Sequence, residues 1–385
     1  MTQFALTPEQ RDIQQAAREF AQNEFPKYAR EADEKEECPK HLYRQAADLG
    51  FQGIFFPEEY GGAGLGYLEF CLVVEEFWRA DPGLGQALGS VVFGSDLLLL
   101  YGTEEQKRRY LPPLTTGEAI MGAAITEPDA GSDISAARTT AVLDGDEWVI
   151  SGTKMFITNG TLADFLIVYC LTEPHAPDRH RRHSCILVET DRPGYKAQKL
   201  KRKMGIRASD TAEVVLDEVR VPASNLIGTR GEGFRQFMEF FNRTRLHVAA
   251  QGIGVAQGAL DRAVRHVRTR EQFGRPLGAF QGVQFKVAEM ATRIEAARSL
   301  LYRAAALVDA GTVDHKLIAM AKWLAGETGV RVTDEALQLH GGYGYLAEND
   351  VERLYRDAKI VEIYEGTKEV EKQIVARGVI GRLGE

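Results

Sequence analysis

Cysteine is scarce in this 385-residue chain: Cys38, Cys71, Cys170 and Cys185 are scattered, with no CxxC pair and no histidine at ligand spacing. That pattern excludes a disulfide framework and a zinc site, and leaves four reduced, mostly buried thiols. Long apolar runs are also missing. No stretch approaches the roughly 20 residues of a membrane-spanning helix. The N-terminus, MTQFALTPEQRDIQQAAREF, lacks both the basic start and the apolar core of a signal peptide. We therefore expect no membrane insertion and a cytoplasmic location. Basic charge is in deficit as well, with 47 Lys and Arg against 55 Asp and Glu and a formal net charge of -8. This argues against a general nucleic-acid binder, while leaving room for a local basic patch that holds a phosphate-bearing small molecule.

What remains is ordinary globular composition, 44% hydrophobic and 26% charged. The length accommodates two or three domains, without repeats or low-complexity segments. The first third reads as helices: Thr7, Pro8 and Gln10 have capping-box spacing with proline at the first helical position, and Thr103 and Gln106 repeat that spacing. From about residue 120 the pattern changes to short runs rich in β-branched and aromatic residues, EWVISGTKMFIT, ADFLIVYC, SCILVET and TAEVVLDEVRVP, which predict a β domain. After VPASNLIGTRGEGF a long helical pattern returns. The expected architecture is α+β and multidomain: a helical domain over 1–119, a barrel-like or sandwich β domain over 120–227, and a helical bundle over 228–385.

Gly252, Gly254 and Gly258 should each weaken their helix by roughly 1 kcal/mol relative to Ala. Close helix packing, which burial in an oligomer could supply, is expected to compensate. The segment HAPDRHRRHS reads as a solvated hairpin tip between two strands; His175, His180 and His183 have no acidic or cysteine partners, so no metal is expected.

Two carboxylates stand out. Glu365, in KIVEIYEGTKEV, follows an apolar stretch, and burying a carboxylate costs free energy unless it is paired or takes up a proton. It reads either as a functional acid or base, or as a cap for the helix starting near Thr367. Asp96 is followed by four consecutive leucines in LGQALGSVVFGSDLLLLYG, a predicted helix that places Gly85, Gly89, Val92 and Asp96 on one face. Its plain alternative is an exposed carboxylate, or one paired with an arginine of a neighbouring subunit.

The loop AITEPDAGSD suits a flat polar ligand. Pro128 fixes a dihedral, Gly131 permits close backbone approach, and Thr126 and Ser132 offer hydroxyls, although alone it could be an ordinary tight turn. It is followed in order by MFITN (155–159), REQFGRPL (270–277), FQGVQ (280–284), QLHGGYG (338–344) and YEGT (364–367). This ordered set, spread over a helix–sheet–helix chain, closely resembles the acyl-CoA dehydrogenase family from near one terminus to near the other.

The resemblance implies FAD as cofactor, an acyl-CoA substrate, a homotetramer whose subunits share cofactor contacts, and an electron-transfer flavoprotein as acceptor. By matching motif, Thr126, Gly131 and Ser132 would contact the flavin or lie near the thioester, and Phe156 and Thr158 would lie against the isoalloxazine; Phe156 departs from the Trp often found there. Arg270, Gln272 and Phe273 resemble the segment that crosses a subunit boundary to the FAD pyrophosphate, where a guanidinium forms paired charge-assisted bonds. Gln281, Gln338, Gly341, Gly342 and Thr367 resemble further FAD contacts. Asn242, Arg245, Tyr364 and Gly366 would border the substrate.

Glu365 matches the family base, which removes the α-proton of the thioester while hydride leaves the β-carbon for flavin N5. The backbone N–H of Glu365 and a flavin ribityl hydroxyl would stabilise the developing enolate. Some branches carry the base one residue before Arg245, but here that residue is Thr244, which cannot serve. A branch acting on alicyclic thioesters uses an aspartate on the helix of Asp96 as a second base, giving 1,4-elimination on cyclohex-1-ene-1-carbonyl-CoA. An acyl-CoA oxidase or a flavin monooxygenase on the same scaffold, and a non-catalytic helical scaffold, are the alternatives.

Overall fold

A computed structural model describes residues 5–381; residues 1–4 and 382–385, at the outer ends of the two expected helical domains, lie outside the described residues. Helix α1 (Pro8–Lys35) starts on the box expected from its sequence: Thr7 Oγ1 accepts from Gln10 N at 3.1 Å and Gln10 Oε1 accepts from Thr7 N at 2.9 Å. Six more helices follow: α2 (Lys40–Asp48), α3 (Tyr67–Ala80), α4 (Pro82–Gly89), α5 (Ser95–Tyr101), α6 (Glu104–Tyr110) and α7 (Pro112–Thr115). Thr103 and Gln106 form the second reciprocal cap, at the start of α6.

The helix expected through Asp96 is two helices. Gly94 adopts φ +112, and a Cβ there would lie 3.0 Å from Met121 Cε and 3.3 Å from Gly122 O. Helix α4 ends at Gly89, and the left-handed Gly94 caps the start of α5 and aims it afresh, so Asp96 sits in a first turn and not on a continuous face with Gly85 and Gly89. Gly85 leaves no room for a ligand either, since its Cβ position is 3.0 Å from Phe77 C and Trp78 Cδ1.

The middle of the chain forms β1 (Met121–Ala124), β2 (Thr140–Asp144), β3 (Glu147–Thr158), β4 (Phe165–Leu171), β5 (His183–Glu189), β6 (Tyr195–Lys199), β7 (Thr211–Pro222) and β8 (Leu226–Ile227). The sheet order is β6-β7-β3-β2-β4-β5-β8, with β1 paired in parallel to β4. Its interior is a separate apolar cluster built around Trp148, Ile150, Leu166, Val168, Ile186 and Val214. The register of β3 against β7 slips between Lys154 and Ile157, and that irregularity turns Phe156 outward at φ +61. Part of the expected hairpin tip is not solvated: His183 is 1% exposed within β5, where its Nε2 lies 2.9 Å from Ala137 O and its ring stacks on Tyr169.

The chain closes with α8 (Gly233–Thr269), the short pair β9 (Glu271–Gln272) and β10 (Arg275–Pro276), α9 (Gln281–Asp309), α10 (His315–His340), α11 (Val351–Ala358) and α12 (Lys368–Ile380). Helix α8 is central, packed on α3, α9 and α10. Its glycines are contact points within one chain: a Cβ on Gly254 would lie 2.4 Å from Glu75 O, on Gly258 2.2 Å from Arg79 O, and on Gly252 2.6 Å from Ala325 O. The compensation expected from an oligomer is thus already supplied by α3 and α10. All four cysteines are free and buried. Among the described residues no helix is long and apolar enough to cross a membrane.

Gly254→Ala should therefore destabilise the protein by about 1–3 kcal/mol in chemical denaturation despite the better helix propensity of alanine; an unchanged or raised midpoint would contradict this packing.

Candidate active site

The turn between the 3₁₀ segment Lys359–Glu362 and α12 carries Glu365 at φ +57 and Gly366 at φ +101. A left-handed non-glycine residue costs of order 1–3 kcal/mol and persists only where its surroundings hold it. Here the restraints come from two helices. From α8, Thr244 Oγ1 donates to Glu365 Oε2 at 2.5 Å and Arg245 Nε donates to the Glu365 carbonyl at 3.1 Å. From α10, Lys322 Nζ donates to the Gly366 carbonyl. A side chain on Gly366 would strike Glu371 Oε1 at 2.3 Å, so only glycine fits beside the buried Glu371 carboxylate.

The helix-capping alternative for Glu365 fails on geometry. Thr367 is the N-cap of α12, its hydroxyl accepting from Val370 N at 3.4 Å, while the Glu365 carboxylate turns toward α8. Thr244, dismissed above as a base, is the donor that aims the carboxylate, a role its place in NRTRLHV did not reveal. Burial raises the proton affinity of Glu365, with the Thr244 hydroxyl, Arg245 and Lys322 acting against it.

Asp96 is 5% exposed, so it is neither a surface carboxylate nor dependent on another subunit. Burial pushes its pKa up to about 7; Arg243 of the same chain opposes the rise, and the charge of Glu365 adds to it. Arg243 lies with its guanidinium 5.5 Å from the Tyr67 ring centroid. Behind Tyr364, whose hydroxyl donates to Gln251 Oε1, a buried polar chain continues from Gln251 Nε2 to Gln86 Oε1 at 2.8 Å and His247 Nε2 at 3.0 Å. Burial pushes His247 down to about 4, so the ring is neutral near pH 7. Arg245 also reaches Asn242 Oδ1, at 3.4 Å.

Thr126 and Phe156 sit on a wall tied by one buried ammonium. Lys154 Nζ, fully buried, donates to Ile125 O at 3.0 Å, Tyr169 O at 2.7 Å and Glu127 Oε1 at 2.9 Å, and Met155 N donates to Thr126 O at 2.8 Å. Burial alone would raise the pKa of Glu127, but Lys154 and the Thr139 and Arg138 N–H groups hold it down to about 2. On this wall Phe156 is 67% exposed, Ser132 is exposed, Thr158 is half-buried, and a Cβ on Gly131 would meet nothing within 4 Å. An exposed aromatic on left-handed backbone, on the same wall as hydroxyls and open backbone, fits a flat heteroaromatic ring such as a flavin. The end of β3 is tied to the segment that leads into α5: Asn159 Nδ2 donates to Ser90 O at 2.9 Å and Met121 O at 3.1 Å, close in sequence to the Gly94 turn that carries Asp96.

The remaining candidates form a second patch. Arg270 lies 5.5 Å from the Tyr343 ring centroid, Phe273 is 94% exposed at φ +53, and Gln272, Gln281, Gln338, Gly341 and Gly342 are exposed nearby or on adjoining elements. At 1.5 Å per residue, Arg270 stands roughly 39 Å along α8 from Thr244. The structure therefore gathers Glu365, Asp96, Arg245, Asn242, Tyr364, Gly366 and Thr367 around one turn and sets the Arg270 group far from them.

Comparison with known proteins gives the family of the chain. Models of the acyl-CoA dehydrogenase N-terminal, middle and C-terminal domains match residues 7–118, 122–219 and 231–380. The chain is 44% identical to acryloyl-CoA reductase (NADH) of Anaerotignum propionicum, over 98% of this chain and 96% of that one. It is 39% identical to cyclohexane-1-carbonyl-CoA dehydrogenase of Geobacter metallireducens, over 98% and 99%. A solved chain from work on the electron transferring flavoprotein of Acidaminococcus fermentans superposes with TM-score 0.96 at 42% identity, covering 99% of this chain and 100% of that one. The chain belongs to the acyl-CoA dehydrogenase family of FAD-dependent oxidoreductases.

Because Thr244 donates to the ionised form of Glu365, Thr244→Val should raise the pKa of that carboxyl, read by infrared titration of the band lost in Glu365→Gln; an unmoved titration would remove Thr244 from the site.

Proposed function

We propose that this chain desaturates a compact acyl-CoA thioester, with Glu365 as the base that takes the α-proton. The observation that carries this reading is the Glu365 carboxylate held on a left-handed turn by the Thr244 hydroxyl; the wall of Phe156, Thr158 and the Thr126–Ser132 loop is the proposed flavin face. FAD, when bound there, supplies the acceptor for the β-hydride at N5. Burial strengthens the base, and exclusion of water by the acyl group strengthens it further. The Glu365 N–H is the proposed donor to the thioester oxygen as enolate charge develops, and the clamped turn fixes its direction. Asn242, Arg245, Tyr364 and Gly366 border the acyl group in this reading.

Compactness follows from the polar chain Tyr364–Gln251–Gln86–His247. Buried and mutually hydrogen-bonded, it would have to be broken for a long apolar chain to pass, leaving polar groups unpaired. Asp96, buried and within electrostatic reach of Glu365, is the proposed second base for an alicyclic acyl group, where it takes a proton distant from the carbonyl. The relative named for cyclohexane-1-carbonyl-CoA and the one named for the three-carbon acryloyl group both favour a small substrate.

The Arg270 patch, too distant for the same chain's site, is proposed to serve the FAD of a second copy in a homotetramer, with Arg270, Gln272, Phe273, Gln281, Gln338, Gly341 and Gly342 as its contacts. An electron-transfer flavoprotein is the proposed acceptor, and the cytoplasm the proposed location.

Glu365→Gln should fold and bind FAD and acyl-CoA yet lose most flavin reduction, roughly 10²–10⁴-fold; anaerobic stopped-flow mixing that bleaches the mutant flavin at the wild-type rate would defeat the assignment. In a substrate panel, Asp96→Asn should lose activity on cyclohex-1-ene-1-carbonyl-CoA, which has no α-hydrogen for Glu365 to take, far more than on butyryl-CoA. Equal rates for mutant and wild type, both preferring straight chains, would sink the second base.

A further inference from the structure

Behind the Glu365 turn lies a pair of ionisable residues that the proposed chemistry does not use. Lys322, on α10, is 1% exposed and donates to the Gly366 carbonyl. Glu371, in α12, is fully buried, with its Oε1 2.9 Å from Arg245 Nε. The Arg245 Nε–H lies between the Glu365 carbonyl, at 3.1 Å, and Glu371 Oε1, so the two acceptors share one donor. A buried carboxylate is costly unless paired, and Glu371 depends for this on Arg245 and Lys322, the same two cations that hold the Glu365 turn.

We propose that Lys322 and Glu371 are positioning residues that balance the charge behind Glu365 and so set how readily it accepts the substrate proton, an inference that rests on Glu365 being the base. Two cations, Arg245 and Lys322, and two carboxylates, Glu365 and Glu371, form a formally neutral set around one turn. Proton transfer to Glu365 makes that set net positive. Without Glu371 the cations are in excess and protonation of Glu365 becomes harder; without Lys322 the carboxylates are in excess and it becomes easier.

The other groups facing the turn are Thr244 from α8, Tyr364 beside it and Asp96 from α5. Glu362, which also faces Lys322, is engaged by Lys359 and by Lys368 at 3.2 Å. Burial lowers Lys322 and raises Glu371 while each supports the other's charged form, as expected of a buried pair.

The test compares Glu371→Gln, Lys322→Met, Lys322→Arg and the double variant Lys322→Met/Glu371→Gln in the FAD-loaded protein. Two readouts apply: infrared titration of the Glu365 carboxyl and the pH dependence of flavin reduction. The active form of Glu365 is ionised, so Glu371→Gln should move both to lower pH and Lys322→Met to higher pH, each by about threefold or more in proton affinity. The double variant and Lys322→Arg should lie near wild type. Shifts in the same direction, or none, would overturn the proposal, since a merely structural pair has no reason to move the titration in opposite senses. Should Lys322→Met fail to fold, Glu371→Gln decides alone: a downward shift supports the proposal and any other result overturns it. If Glu365→Gln reduces flavin normally, the base assignment fails instead, a different outcome from failure of the charge balance.

Discussion

The account depends on one constraint: a four-residue turn, Tyr364 to Thr367, clamped by donors from two long helices. Thr244 holds the carboxylate of Glu365, Arg245 holds its carbonyl, and Lys322 holds the carbonyl of Gly366. Each bond alone is worth about 1–3 kcal/mol, comparable with the cost of the left-handed backbone it secures. Together they make the direction of the side chain a property of the α8–α10 packing. That packing in turn needs the close approach at Gly252, where any side chain would meet the backbone of Ala325.

The flavin-facing wall uses the same device with different parts. One ammonium, Lys154, satisfies the carbonyls of Ile125 and Tyr169 and the carboxylate of Glu127, which itself accepts the N–H groups of Arg138 and Thr139. Breaking such a buried pair by removing one partner leaves an uncompensated charge, so the loop and β3 are locked as a unit. Phe156 and Glu365 are both left-handed non-glycine residues. Strain collects at the residues proposed to meet the ligands and is held by the polar groups behind them.

Much of this was legible from the residues. The helix–sheet–helix order followed from a change of hydrophobic period, and β3 and β7 coincide with the runs EWVISGTKMFIT and TAEVVLDEVRVP because β-branched residues alternate there. Strand β6 was not read, since YKAQK at a sheet edge alternates half-buried with exposed positions and has little apolar character. The break at Gly94 was missed because a single glycine inside an apolar run is tolerated in a helix; only the approach of β1 makes it obligatory here. Glu365 and Asp96 stood out as carboxylates in apolar surroundings. Lys322 and Glu371 did not, although a lysine among Ala319, Ala321 and Ala325 on a buried helix face was the available signal.

The most direct measurement of the central claim is exchange of the acyl-CoA α-hydrogens with D₂O, followed by NMR on the FAD-loaded enzyme without an electron acceptor. The account predicts that the wild type washes deuterium into the α-position and that Glu365→Gln, with its fold and FAD content intact, does not. Equal exchange by the two proteins would show that another group takes the proton and would contradict the account.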